Sequence, residues 1–408
     1  MALRESASLD PAPLDAADPL APFRARFVIA DPALIYLDGN SLGRLPAATA
    51  ERLARVVGDE WGGELIRGWD HWLGEPQRVG DRLAEVALGA HEGEVIVSDS
   101  TSVNFYKLAL AALEARPGRR VLVTDRPNFP TDRYVLEGLA RARDLEIAWV
   151  DPDEIEGPQP ADVEAALADH PGDVALVTLS HVNYRSAAIA DMAAITSLAH
   201  DAGALALWDL SHSAGSIAVD LEGAGADLAV GCTYKYLNGG PGAPAWLYVR
   251  RSLQRQLRNP IQGWFGRRDQ FEMGQGYEPE PGIRSWLVGT PGILGLAAAD
   301  EGIGLVAEAG IDRIRAKGIG LTEYAIALFD ARLAGLGFGL GSPRDPARRG
   351  AHVAIKHPDA RRLTAELIAR GVIPDFREPD SIRFGLSPLT TSFRDVEAGI
   401  AALETLAS

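Results

Sequence analysis

Along this chain the hydrophobic positions repeatedly change their period. Short apolar runs at 94–97, 120–124, 146–150, 174–180 and 205–208 alternate with stretches whose apolar residues recur every three or four positions, at 103–115, 131–143, 161–168 and 192–201. The first pattern predicts strands and the second amphipathic helices. Their alternation predicts βαβ units building a mostly parallel sheet with helices on both faces, an α/β architecture. Upstream, a short strand is predicted at Ile35, with helices over 47–62 and 79–88. After Pro291 the texture becomes a long alanine-rich helical stretch reaching about Leu336, then strands over 352–356 and 382–386 and helices over 360–370 and 393–406. The expected division is an N-terminal arm and first helix over residues 1–60, a large α/β domain over 61–290 and a smaller C-terminal α+β domain over 291–408. No internal repeat is visible. The glycine-rich run at 335–341 lacks the spacing and the βαβ frame of a dinucleotide loop and reads as a helix stop.

Composition narrows the ligand more than the fold. With 408 residues, 47% hydrophobic and 24% charged, the chain is ordinary globular material, with disorder expected only at its N-terminus. A formal charge of -16, without any cluster of basic residues, argues against a nucleic-acid partner. Cys232 is the single cysteine. It rules out an intrachain disulfide and a cysteine-rich metal site, no metal is expected, and a reducing compartment, by default the cytoplasm, is implied. Residues 1–22 carry acids and prolines instead of the apolar core of a secretory signal, and no apolar run approaches the roughly 18 residues that cross a bilayer.

Lysine is scarce: 107, 235, 317 and 356 are the only four positions. Lys235 alone follows an apolar strand, inside a glycine-rich turn, where Tyr234, Tyr236 and the strand predict burial. Burial lowers an amine's pKa and makes it a better nucleophile and base. The other three lysines stand in helical or polar contexts and read as surface groups. Upstream, Asp209 ends the run Ala204-Leu-Ala-Leu-Trp-Asp, where a carboxylate faces the crevice at the strand ends of an open α/β sheet. His212 lies within reach of the same crevice. Buried amine and facing acid together suit pyridoxal phosphate, which also needs a phosphate cradle and a flat group on its ring. The segment Ser100-Thr-Ser-Val-Asn at a helix start offers hydroxyls and free N–H groups for a phosphate, though the same residues serve equally as a helix cap. Phe129 offers the ring plate, or simply a core side chain.

Trp208-Asp-Leu-Ser-His-Ser-Ala-Gly together with Tyr234-Lys-Tyr-Leu-Asn-Gly-Gly-Pro-Gly resembles the fold-type I, transferase-like family of pyridoxal phosphate enzymes. Leu37-Asp-Gly-Asn-Ser-Leu-Gly, Phe129-Pro-Thr-Asp, Gly263-Trp-Phe-Gly and Ile382-Arg-Phe-Gly-Leu-Ser-Pro-Leu narrow the resemblance to the kynureninase family, over about residue 35 to the C-terminus. The resemblance implies Lys235 as the Schiff-base lysine, Asp209 as partner of the pyridine nitrogen and His212 as a cofactor neighbour. It implies Thr101, Ser102, Tyr234, Trp264 and Thr290 around the phosphate, with Trp264 and Thr290 given by the second subunit of a homodimer. Phe129, Pro130, Thr131 and Asp132 would line the ring, with Ser180 on the adjacent strand. Arg383 would clamp the substrate carboxylate, with Asn40, Trp69 and Gly289 as further substrate contacts.

The reaction implied is hydrolytic cleavage of L-kynurenine to anthranilate and L-alanine, in tryptophan breakdown or NAD biosynthesis. Lys235 would act as the base and Tyr234 as a proton donor or a phosphate ligand. If Trp69 and Gly289 face the aniline ring they give a ring hydroxyl no partner, so kynurenine is expected over 3-hydroxykynurenine. An aminotransferase would use the same lysine and aspartate. A cysteine desulfurase or selenocysteine lyase needs a loop cysteine facing the cofactor, and Cys232 is expected on the strand before the lysine. A binding protein that kept the scaffold would lack the Schiff base.

Overall fold

The computed structural model describes residues 9–407. The start of the N-terminal arm, where disorder is expected, lies outside the described residues. Its continuation forms a short helix, Ala12–Ala16, and a 3-10 turn, Ala21–Arg26.

Among the described residues thirteen strands build three sheets. β1 (Ile35–Tyr36) pairs in parallel with β11 (Val372–Ile373), tying the arm to the C-terminal part of the chain. Seven strands form the central sheet: β2 (Val95–Val97), β3 (Val121–Asp125), β4 (Glu146–Val150), β5 (Val174–Ser180), β6 (Leu205–Asp209), β7 (Leu228–Gly231) and β8 (Trp246–Val249). Their order is β2-β8-β7-β6-β5-β3-β4, and only β8 runs antiparallel to its neighbours. Strands β2, β3, β6, β7 and β8 are buried at every position. Covered on both faces by helices, they need no polar alternation. Two apolar clusters flank the sheet, one containing Val97, Val123 and Trp208 and the other Ile96, Leu122 and Leu207.

The chain runs from β3 outward to β4 and then returns past β3 to β5. The reversal puts a topological switch point between β3 and β5, where α/β sheets bind ligands outside the strands' carboxyl ends.

A four-stranded antiparallel sheet, ordered β12 (Asp375–Arg377), β13 (Ser381–Gly385), β10 (His352–Lys356) and β9 (Gly339–Leu340), packs with helices Ala360–Ala369 and Phe393–Ala407 around a third apolar core. Leu37 of the arm belongs to that core.

The helical stretch expected over 291–336 is two helices, Ile293–Ala309 and Ile311–Arg332, broken at Gly310 with φ +80°. Leu296, Ile303 and Val306 of the first helix join the apolar cluster of the central sheet, whereas Leu321, Ala325 and Leu328 of the second join the C-terminal core. The helix expected over 47–62 starts at Ala47 but widens after Arg55 into a π-helical run, Val56–Glu64, carrying Gly58, Gly62 and Gly63. Among the described residues no helix is long and apolar enough to cross a membrane, and no cluster of His, Cys, Asp or Glu could hold a metal ion.

Candidate active site

Five chain segments leave the carboxyl ends of the sheet and meet around a cavity of about 150 Å³. After β2, Ser100 caps helix Thr101–Glu114, its hydroxyl accepting from the Val103 N–H at 3.4 Å. Capping thus falls to Ser100, and Thr101 and Ser102 line the cavity. After β3, Pro130 opens helix Pro130–Arg143 at a position where its missing N–H costs nothing. Phe129, Thr131 and Asp132 of this segment line the cavity. The two sides of the switch point are tied together, since the Ser180 hydroxyl at the end of β5 donates to Asn128 Oδ1 at 2.8 Å. β6 ends at Asp209, whose Oδ1 accepts from the Ser211 N–H at 2.7 Å.

The turn after β7 brings Tyr234 and Lys235 into the same space. The N-terminal arm holds that turn in place: the Gly43 N–H donates to the Tyr234 carbonyl at 2.8 Å. A Cβ on Gly43 would stand 2.3 Å from the Lys235 carbonyl oxygen, so only glycine fits.

The Lys235 amine is buried, 2.9 Å from His212 Nε2 and 5.8 Å from the centroid of the Phe129 ring. Burial lowers its pKa, against the raising fields of Cys232 and Asp209, and Arg383 lowers it further. His212 is held well below the ordinary histidine range by burial and then by Lys235. Asp132 is pushed well above the usual carboxylate range, first by burial and then by the neighbouring Asp209. The two carboxyls lie within hydrogen-bond reach, so a proton kept on Asp132 can be shared with Asp209. Tyr234 is pushed up by burial and keeps its proton.

These features fit pyridoxal phosphate. A buried acid pair suits a protonated ring nitrogen, the start of helix Thr101–Glu114 suits a phosphate, and Lys235 beside Phe129 suits an amine linked to a stacked ring. Cys232 lies one residue beyond β7 and not on it; burial raises its thiol pKa, and its Sγ faces the Ser211 carbonyl at 3.8 Å. A buried, protonated thiol is a poor nucleophile.

Other predicted residues stand outside this cavity. Arg383 is buried, donating to Ser41 Oγ at 3.1 Å and to the Tyr184 carbonyl, and forming an ion pair with Asp375. With the Asn40 amide oriented to satisfy both its neighbours, its oxygen accepts from Arg383 Nε at 2.8 Å and its nitrogen donates to Asp38 Oδ1 at 3.1 Å. Burial raises the Asp38 pKa to about 6, a shift opposed by the Ser41 hydroxyl. Trp69 packs edge-on against Trp72 at 5.4 Å and near Phe265 at 5.8 Å. Trp264 is 40% exposed, and Gly289 and Thr290 are exposed as well.

Several groups here were not anticipated. Tyr184 lines the cavity and meets Phe129 edge-on at 5.3 Å. Its position four residues beyond the end of β5 is the signal that could have found it. Asp375 gives little signal, because its strand is only three residues long; it stands opposite Arg383 across the β12–β13 hairpin and accepts from the Ser41 hydroxyl, 334 positions away, at 3.5 Å. Lys107 and Lys317 are not surface groups. Lys107 is fully buried, bound to Asp99 at 2.7 Å and to the Trp286 carbonyl at 2.9 Å, and Lys317 pairs with Asp18 at 2.6 Å. A lysine on an apolar helix face is buried when a carboxylate can reach it.

Comparison with known proteins agrees with this geometry. A family model described as the kynureninase C-terminal domain matches residues 314–403. The chain is 45% identical over 402 residues to a kynureninase of Burkholderia pseudomallei (strain 1106a), covering 96% of this chain and 94% of that protein. Among solved structures it is similar to the apo cysteine desulfurase of Thermococcus onnurineus NA1, with TM-score 0.79 and 19% identity over 98% of this chain and 99% of the other. It is also similar to a C-DES mutant with glycine covalently linked to the PLP cofactor, with TM-score 0.78 and 16% identity over 91% and 97% of the two chains.

Proposed function

The chain belongs to the kynureninase family of pyridoxal phosphate-dependent hydrolases, and from that premise we propose that it cleaves the Cβ–Cγ bond of L-kynurenine to anthranilate and L-alanine. The observation that carries this reading is the buried Lys235 amine, facing Phe129 and Asp209 in one cavity at the strand ends.

Lys235 would hold the cofactor, Asp209 would face its ring nitrogen with Asp132 behind, Phe129 would cover its ring, and Thr101 and Ser102 would take its phosphate. When bound, the cofactor supplies an electron sink for bonds at the substrate's α- and β-carbons. Lys235 would also serve as the base that takes the substrate's Cα proton. Burial lowers its pKa and so favours the neutral amine that a general base requires. Water adds to the γ-carbonyl. Tyr234, kept protonated by burial, donates either to that oxygen or to Cβ as the bond breaks. Arg383 binds the substrate carboxylate with its planar fork, and Asn40 keeps the fork aligned. Because Asp375 already neutralises Arg383, the incoming carboxylate takes over a partner's role.

Trp69, Trp264, Gly289 and Thr290 complete the aryl and phosphate ends from the interface of a homodimer, with Trp264 and Thr290 crossing to the other subunit's cavity. The exposure of Trp264, Gly289 and Thr290, none of which lines the cavity of its own chain, supports this arrangement. A flat tryptophan and a glycine offer a ring hydroxyl no hydrogen bond, so kynurenine is favoured over 3-hydroxykynurenine. We place the enzyme in the cytoplasm, in tryptophan catabolism through kynurenine and in the supply of NAD biosynthesis. The buried, protonated Cys232 speaks against desulfurase chemistry. The test is product analysis with L-kynurenine and no keto acid. One alanine per anthranilate is expected, and a requirement for a keto-acid acceptor would make the protein an aminotransferase.

A further inference from the structure

Behind the Lys235 amine stand two imidazoles, and only one of them touches it. His212 Nε2 is 2.9 Å from Lys235 Nζ. His352, on β10 of the C-terminal sheet, lies with its ring centroid 5.6 Å from that of His212 and its plane inclined by 58°. His352 is completely buried. The Arg185 backbone carbonyl faces its ring as an acceptor, no side chain pairs with either of its nitrogens, and His212 Nδ1 has no partner at all. Buried polar atoms are ordinarily paired, and with one His352 nitrogen turned to the Arg185 backbone, the other and His212 Nδ1 stand unpaired on facing rings at a cost that a phenylalanine at position 352 would not incur. At this separation one bridging water, or a modest ring rotation, joins the two imidazoles.

We infer that His352 is a positioning residue that fixes the tautomer of His212, with Nδ1 protonated toward His352 and Nε2 left as the acceptor that faces Lys235. The inference rests on the reading of Lys235 as the cofactor amine. A neutral imidazole has one donor and one acceptor, so the partner on one side dictates the character of the other. With Nε2 as acceptor, Lys235 contributes a hydrogen to the contact, and the amine's lone pair stays directed at the cavity. The opposite tautomer would present an N–H to Lys235 and occupy the lone pair that must attack and abstract.

The surroundings favour neutral rings. Arg383 and Arg377 face His352 from the neighbouring strands, the Arg185 backbone from the loop after β5, and Lys235 and His212 from the central sheet. Burial and these cations hold both histidines well below their usual range.

The test uses holoenzyme carrying 15N-labelled histidine. With eight histidines in the chain, His352→Gln and His352→Phe serve for assignment and as variants. The native spectrum should show His212 protonated at Nδ1. His352→Phe should mix or reverse that tautomer and lower kcat about tenfold with KM within about twofold, and His352→Gln, which can still accept, should recover most of kcat. A native His212 protonated at Nε2 overturns the inference even if His352→Phe fails to fold. An unchanged tautomer and kcat in a folded His352→Phe overturns it as well. Persistence of a lysine-bound cofactor in Lys235→Ala would instead defeat the underlying reading, whatever the tautomer.

Discussion

The cofactor half and the substrate half of the proposed site are built differently. Lys235, Asp209, Ser180, Phe129 and Thr101 stand at or just beyond the ends of strands in one sheet, and a single chain gathers them around one cavity. Arg383 is matched by Asp375, and Trp69, Trp264, Gly289 and Thr290 lie on short helical turns or exposed loops away from that cavity. A parallel sheet converges its strand ends whatever binds there, so the first half is preorganised by topology. The second half depends on exchange of an ion-pair partner and, as proposed, on a second subunit.

The largest effect should come from the cofactor half. Lys235→Ala should lower kcat by at least about 10³-fold, with Asp209→Ala close behind, because both act on the reacting bonds. Steady-state anthranilate release measures this, and a loss under tenfold would remove either residue from the chemistry. In the substrate half, Arg383→Gln should raise KM by about 10- to 100-fold with a smaller change in kcat. Asp375→Asn should lower KM several-fold by freeing the guanidinium; a rise would mean that Asp375 orients Arg383 and does not compete for it.

The subunit question is sharper in mixed dimers. Equal mixing of Lys235→Ala with Trp264→Ala, after reversible dissociation, should regain about a quarter of native activity, since each mixed dimer then has one site with both residues intact. No recovery beyond the separate variants would put Trp264 in its own chain's site.

The smallest effect on turnover belongs to Asp125, buried behind the acid pair with Oδ1 unpartnered. Burial pushes its pKa up to about 7 from 3.8. In the folded chain it therefore keeps a proton that the unfolded chain releases near 3.8. Its stabilising contribution is complete below that pH and is lost as pH rises through about 7. Asp125→Asn should change kcat by no more than about twofold while flattening the decline of Tm between pH 5 and 7, each pH being an approximate bound. An equal slope in both proteins would assign the decline to other groups.

How legible the site was follows from the same contrast. Strand ends, the helix start at Ser100 and the Lys235 turn are local patterns, and Lys235 stood out through its immediate neighbours. Tyr184 and His352 become relevant only through pairings of distant segments, which no local period encodes: the Tyr184 carbonyl and Arg383 are 199 positions apart. The break at Gly310 was illegible for another reason. Helices Ile293–Ala309 and Ile311–Arg332 contain further glycines, Gly295, Gly302, Gly304, Gly318 and Gly320, that stay helical, so glycine alone did not mark the stop. Burial of Lys107 and Lys317 depended on carboxylates that the sequence gives no means of pairing with them.

Four lysines make the central claim directly testable. The purified holoenzyme should be reduced with borohydride to fix the cofactor to its lysine, digested and mapped by mass spectrometry. The account predicts the cofactor on the peptide containing Lys235 and no label in Lys235→Ala. Label on Lys107, Lys317 or Lys356 in the native protein would contradict it.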